Sequence, residues 1–227
     1  MLRIGIVLFE GITALDAVGP YEVLSRLPDV DLHFVAAQAG PVRTDDGILS
    51  LVADGELSEL GDPEIVVVPG GLGTRRLVAD GQLLSWLREA HSTSHWTTSV
   101  CTGALLLGAA GILAGLEATT HWSELETLRR YRARPVSRRV VEQDKVITAA
   151  GVSAGIDMAL SLAAHVAGDT VAQAIQLAIE YDPQPPFDTG SPAKAPLEVR
   201  RAVQRMRHSG TSALEGQALA RSSDSAQ

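Results

Sequence analysis

Short apolar blocks separated by longer stretches of helical spacing run through most of this chain. Ile4-Gly5-Ile6-Val7-Leu8-Phe9 has no polar position, as a strand covered on both faces requires. Leu32-His33-Phe34-Val35-Ala36 and Ile65-Val66-Val67-Val68 read as further strands, and Thr97-Thr98-Ser99-Val100 is strand-like through its β-branched residues. Between them lie helical patterns: Thr13 to Leu27, with a bend expected at Gly19-Pro20, then Leu83 to His91, and Thr102 to Ala110. Val42 to Val52, with Asp45-Asp46-Gly47 in the middle, predicts a hairpin. A second hairpin is predicted from Arg138 to Glu142 and Lys145 to Thr148, turning at Gln143-Asp144. His121 to Tyr131 and Asp169 to Glu180 read as helices. Ser153 to Val166 is so nearly apolar that a buried helix is expected rather than an amphipathic one.

Strands alternating with helices predict an α/β fold: a mostly parallel sheet with helices on both faces. In such a sheet the functional crevice lies beyond the carboxyl ends of the strands. Three loops then converge there: Glu10 to Asp16, Pro69-Gly70-Gly71, and Cys101-Thr102-Gly103. Beyond Glu180, the proline-rich stretch from Tyr181 to Pro192 must be an irregular loop. A last helix is predicted from Leu197 to His208, and the polar tail from Ser209 is expected to be disordered. The domain reading is therefore one α/β domain over residues 1–196, followed by a C-terminal helix and tail over residues 197–227.

Charge and cysteine usage narrow the partners. A net charge of −8 argues against nucleic acid and against an anionic membrane surface. A single cysteine excludes an intrachain disulfide, and no Cys/His grouping has metal-site spacing. The chain enters its first strand pattern at once, with no signal peptide, and no apolar run is long enough to span a bilayer. A soluble cytoplasmic protein is expected.

That single cysteine, Cys101, stands where the Thr97–Val100 strand breaks into a helix. Free N–H groups and aligned dipoles at a helix start favour thiolate over thiol, so the corner has the form of a nucleophile elbow carrying sulfur. A buried, inert cysteine is the plain alternative. Asp16 also has two readings. From its loop it could reach a sulfur at Cys101 and move a proton. Equally, Thr13-Ala14-Leu15-Asp16 has the shape of a capping box, which by itself is the commoner role. Gly70 and Gly71 let backbone approach a ligand and could direct an N–H at developing charge, though most Gly-Gly pairs are turns. Thr102 offers an N–H and a hydroxyl beside the sulfur. His121 could pair with the cysteine or simply start a helix. His33, His91, His95, His165 and His208 fit no ligand or relay spacing.

Leu8-Phe9-Glu10, Leu15-Asp16, Gly19-Pro20, Pro69-Gly70-Gly71 and Ser99-Val100-Cys101-Thr102-Gly103 together resemble the ThiJ/PfpI superfamily, from Ile4 to about Pro192. Ala118-Thr119-Thr120-His121-Trp122, Ala154-Gly155-Ile156-Asp157 and the segment from Glu180 through Pro185-Pro186-Phe187 to Pro192 are similar to its isonitrile hydratase branch. The resemblance implies a class I glutamine amidotransferase-like (flavodoxin-like) fold and a homodimer without metal or organic cofactor. It implies hydration of a small isonitrile, R–N≡C, to an N-substituted formamide. On the matching positions Cys101 is the nucleophile and Asp16 the acid/base. Gly70, Gly71, Thr102 and His121 line the site, and Tyr181 and the Pro-Pro-Phe segment help enclose it.

Departures from other branches bear on the rivals. Thr102 stands where protease-like members carry His, the C-terminal part holds no His-x-Glu, and the early acid is Asp rather than Glu. About thirty residues follow Pro196, too few for the DNA-binding domain of related AraC-type regulators. A redox-sensing or chaperone-like protein, and a glyoxalase-type enzyme, remain the alternatives.

Overall fold

The computed structural model describes residues 1–206; the predicted tail from Ser209 and the end of the last helix lie outside them. Met1–Tyr181 forms one compact unit and the chain from Asp182 a second.

The first unit follows the apolar pattern. Strand β1 (Leu2–Val7) leads into helix α1 (Ala14–Leu24), then β2 (Val30–Ala36), the hairpin β3 (Gly40–Arg43) and β4 (Ser50–Ala53), and a short β5 (Gly55–Glu56). Strand β6 (Ile65–Val68) is followed by α2 (Thr74–Leu77) and α3 (Gly81–Thr93), then β7 (Trp96–Val100) and α4 (Gly103–Ala109). Next come β8 (Glu117–Ala118), a 3-10 helix (Trp122–Tyr131), β9 (Arg134–Pro135), β10 (Val140–Gln143), β11 (Val146–Ala149), α5 (Ala154–Ala167) and α6 (Asp169–Ala178). The second unit carries an irregular stretch and a helix over residues 197–206.

Seven strands form one sheet in the order β10-β11-β7-β6-β1-β2-β5. All neighbours are parallel except the β10–β11 hairpin. Strands β1, β6 and β7 lie side by side at the centre, with Ile4 opposite Ile65 and Val68 opposite Ser99. Every residue of β6 is fully buried, because both faces of a central parallel strand are covered. Burial of each such Val or Ile contributes roughly 1.5–3 kcal/mol. Adjacency of these strands brings their carboxyl-end loops together.

Helix α1 continues through Pro20 as one element. Proline has no N–H for the carbonyl of Asp16, so the first turn loses one internal bond. The Gly19-Pro20 pair instead allows close packing on α5: a Cβ on Gly155 would meet Val100 at 3.1 Å and Pro20 at 3.3 Å. Helix α5 is not buried all round, contrary to the expectation from its composition. Ala154, Gly155, Met158, Ala159, Leu162 and Ala163 face the core, while Ser161 and His165 are exposed. Small alanines dominate its apolar count, and they are accommodated on either face. The segment from His121 is helical but of the tighter 3-10 form.

Candidate active site

The loop after β6, the elbow after β7 and the start of α1 meet in a contact too tight for side chains. A Cβ on Gly70 would lie 2.5 Å from the Thr102 nitrogen, 2.7 Å from Thr102 Oγ1 and 2.8 Å from Asp16 Oδ2. Gly71 has φ +133°, a conformation open mainly to glycine, and a Cβ there would strike the Gly11 carbonyl at 2.3 Å. The loops are further laced by Thr13 N–H donating to the Gly70 carbonyl at 3.0 Å.

Cys101 sits at the corner with φ +54°, in the left-handed region, as a strained elbow demands. Its N–H donates to the carbonyls of Ala149 at 3.1 Å and Ala150 at 2.8 Å, tying the corner to the end of β11. Thr120 Oγ1 donates to the Cys101 carbonyl at 2.7 Å. The residue retains 5% exposure, as does Thr102. Little of either side chain is therefore open to solvent.

Asp16 is fully buried. Its Oδ2 accepts from the Gly70 N–H at 2.9 Å. Its Oδ1 is buried without a nitrogen or oxygen partner. The Cys101 thiol hydrogen-bonds to this carboxyl. Burial pushes the acid up to about 7; the bonds from Gly70 and Cys101 pull the other way, and the charge of Asp45 pushes further up. Near neutral pH this acid therefore exists in both protonation states, which is what a group that first gives and then takes a proton needs.

The capping-box alternative is not what forms. Thr13 is the N-cap of α1 but its side chain makes no cap bond. Instead Thr13 Oγ1 donates to Asp45 Oδ2 at 2.6 Å, and the Asp16 carboxyl is taken by Gly70. The Thr13 N–H that a capping box would use is already donated to the Gly70 carbonyl at 3.0 Å, so the carboxyl accepts from the Gly70 N–H instead.

Gly71 N–H donates to Thr102 Oγ1 at 2.9 Å, and the same hydroxyl donates back to the Gly71 carbonyl at 3.1 Å. The Thr102 hydroxyl thus bonds the glycine loop to the elbow and satisfies that N–H. His121 has its Nδ1 against Ser123, 3.0 Å from the hydroxyl and 3.3 Å from the backbone nitrogen, where it caps the 3-10 helix. Tyr181 places its hydroxyl 3.2 Å from Asp157 Oδ2. Asp157 also accepts from Arg139 Nε at 2.6 Å. Burial and the Asp157 charge push the tyrosine up. The bonds of this cluster hold α5, the residue before β10 and the end of the first unit together. Pro185-Pro186-Phe187 belongs to the second unit, and Phe187 is exposed.

Two participants escape sequence reading. Asp45 looks like a turn residue, yet its neighbour Asp46 makes the turn bonds, accepting from Thr44 Oγ1 at 2.5 Å and from the Ile48 N–H at 3.0 Å. Asp45 is left to face Thr13. Thr120 shows no local signal that its hydroxyl would serve the elbow.

No group of three or more metal-ligating side chains occurs among the described residues. No helix among them is long and apolar enough to cross a membrane.

Comparison with known proteins agrees with this architecture. The isonitrile hydratase of Pseudomonas putida is 44% identical over 198 residues, covering 87% of this chain and 86% of that one. The crystal structure of a ThiJ/PfpI family protein from Pseudomonas syringae superposes with a TM-score of 0.88 at 37% identity, covering 93% of this chain and 88% of the other. The HTH-type transcriptional regulator CdhR of Pseudomonas aeruginosa is 32% identical over 163 residues, which span 70% of this chain but only 48% of the regulator. Residues 2–165 match the DJ-1/PfpI family, and the chain, with its parallel sheet and cysteine elbow, belongs to that family.

Proposed function

We propose that this protein is an enzyme that hydrates isonitriles to N-substituted formamides, with Cys101 as nucleophile and Asp16 as the proton carrier. The observation that carries the reading is the buried Asp16 carboxyl, pinned by the Gly70 N–H beside the Cys101 thiol and raised to about 7. The likeness to the Pseudomonas putida isonitrile hydratase supports the choice of substrate class.

The terminal carbon of R–N≡C accepts a nucleophile and a proton at the same atom. Sulfur of the Cys101 thiolate attacks that carbon, forming C–S, and protonated Asp16 delivers its proton there. The product is a thioformimidate, R–N=CH–S–Cys101. Asp16, now ionised, takes a proton from water as the water oxygen adds to the same carbon. The C–S bond then breaks, its electron pair returns to sulfur, and the proton of the new hydroxyl passes to nitrogen, giving R–NH–CHO. A thiolate is a good leaving group at a helix start. The acid needs to hold its proton in the first step and lack it in the second, which a value near 7 allows and an ordinary carboxylate does not.

Formamide production from an aryl isonitrile tests the reading. Wild-type protein should turn over, Cys101→Ala should be inactive, and Asp16→Asn should lose most activity. Intact-mass measurement during turnover should show a transient adduct on wild type and none on Cys101→Ala. Undiminished hydration by Cys101→Ala would remove the mechanism, and no hydration by wild type across an isonitrile panel would remove the function.

A further inference from the structure

The carbonyl of Cys101 is held by a group outside the three loops of the site. Thr120 Oγ1 donates to it at 2.7 Å, and the threonine side chain is buried with 1% exposure. The Ala104 N–H also donates to that carbonyl, at 3.5 Å, the weak first bond of a helix start. Thr120 itself has little freedom. The N–H of Thr119 donates to Thr148 Oγ1 at 3.0 Å on β11, and His121 on the other side caps the 3-10 helix.

The peptide joining Cys101 to Thr102 is trans, as all described peptides are. In a planar trans peptide the carbonyl and the N–H point to opposite sides. Pinning the Cys101 carbonyl on Thr120 therefore fixes the Thr102 N–H on the other side. The Thr102 nitrogen lies over Gly70, whose missing Cβ would be 2.5 Å from it and 2.8 Å from Asp16 Oδ2. One hydroxyl thus holds the peptide that follows left-handed Cys101, φ +54°, while the Cys101 N–H is held by the carbonyls of Ala149 and Ala150.

We propose that Thr120 is a positioning residue for the Cys101 nucleophile: its hydroxyl clamps the elbow peptide so that the sulfur stays at Asp16. Without the clamp, the left-handed residue has lost its best carbonyl partner and relaxes toward negative φ, which swings the sulfur away from the acid. This rests on the functional reading above for its kinetic consequence, and on geometry alone for the thiol.

Thr120→Val keeps the shape and removes the donor, while Thr120→Ser keeps the donor. Both are compared with wild type for kcat and KM on an aryl isonitrile, and for the pH dependence of iodoacetamide alkylation. Alkylation reads Cys101 alone, since the chain has one cysteine. Folding of each variant is verified by circular dichroism. The valine variant should lose kcat on the order of 10²-fold with little change in KM, as expected when a reacting atom moves by about 1 Å. Its alkylation profile should shift along the pH axis, and the serine variant should recover most of both. Should valine not be tolerated, Thr120→Ala carries the same comparison at smaller volume. A folded Val or Ala variant with wild-type kcat and an unmoved alkylation profile would overturn the proposal, as would a serine variant as impaired as the valine one. If wild type is inert toward isonitriles, the functional reading falls, and the alkylation profiles still decide the role of Thr120.

Discussion

Asparagine at position 16 keeps an oxygen for the Gly70 N–H and removes the proton that the proposed mechanism uses. The stability consequence follows from where the proton sits. Asp16 has an ordinary value of 3.8 when exposed and about 7 in the folded protein, because burial disfavours its charged form. Below pH 3.8 the acid is neutral in both states, so its contribution is fully present. Between 3.8 and about 7 the unfolded chain releases the proton and the folded protein retains it. The folded state then binds more protons than the unfolded one, and stability falls as pH rises, by about 1.4 kcal/mol per pH unit. Above about 7 both states are ionised and the loss levels off, having reached roughly 4 kcal/mol.

Asp16→Asn has no such titration. It should be less stable than wild type near pH 4 by the cost of fitting an amide NH2 beside Cys101, about 1–2 kcal/mol, and the more stable protein at pH 8, by roughly 4 kcal/mol less that cost. For a chain of this size the net gain corresponds to a Tm higher by roughly 5–10 °C at pH 8. The assay is denaturant unfolding of both proteins at pH 4, 5, 6, 7 and 8. Its readout is the difference between them, in which titrating groups that do not interact with Asp16 cancel. The difference should grow with pH and flatten past neutrality, while formamide production is lost. A difference independent of pH across this range would mean that the folded carboxyl ionises at its ordinary value, and the proton donor of the mechanism would be gone.

On the proposed mechanism the Asp16 proton also sets the pH dependence of catalysis: kcat/KM for an isonitrile should fall as pH rises through about 7, measured under conditions where the protein stays folded. Asp45→Asn keeps an acceptor for Thr13 and removes the charge that raises Asp16, so the midpoint of that fall should move to lower pH, read from the same rate profile. Gly70→Ala places a methyl within 2.5 Å of the Thr102 nitrogen and 2.8 Å of Asp16, which should abolish turnover and cost at least about 2 kcal/mol in a denaturant titration. Tyr181→Phe removes a hydroxyl bonded to Asp157 rather than to Asp16 or Cys101, and its effect should be on stability, about 1 kcal/mol by thermal unfolding, with kcat nearly unchanged.

How far this site was legible in the sequence depends on how local each cause is. Apolar blocks such as Ile65–Val68 identify themselves because a doubly covered strand leaves no room for polar residues, and the structure returns the same four residues as a strand. Cys101 was legible because a strand running into a helix is itself a local event. Asp16 was not, since its competing cap role could be judged only by knowing which donor lay nearer. The Gly70 N–H, 54 residues away in sequence, decided that competition. Composition misled at α5, where alanine counts as apolar but does not demand burial, so a face bearing Ser161 and His165 went unseen. Thr120 and Asp45 mark the remaining distance: a buried hydroxyl and a half-buried carboxyl carry no periodicity, and their meaning comes from partners 19 and 32 residues away. Chemistry in this fold is assembled where three central strands end side by side. The residues that tune it are therefore the ones whose spacing along the chain says least, and substitutions at Thr120 and Asp45 should change the proton and sulfur behaviour of the site while leaving the strand core untouched.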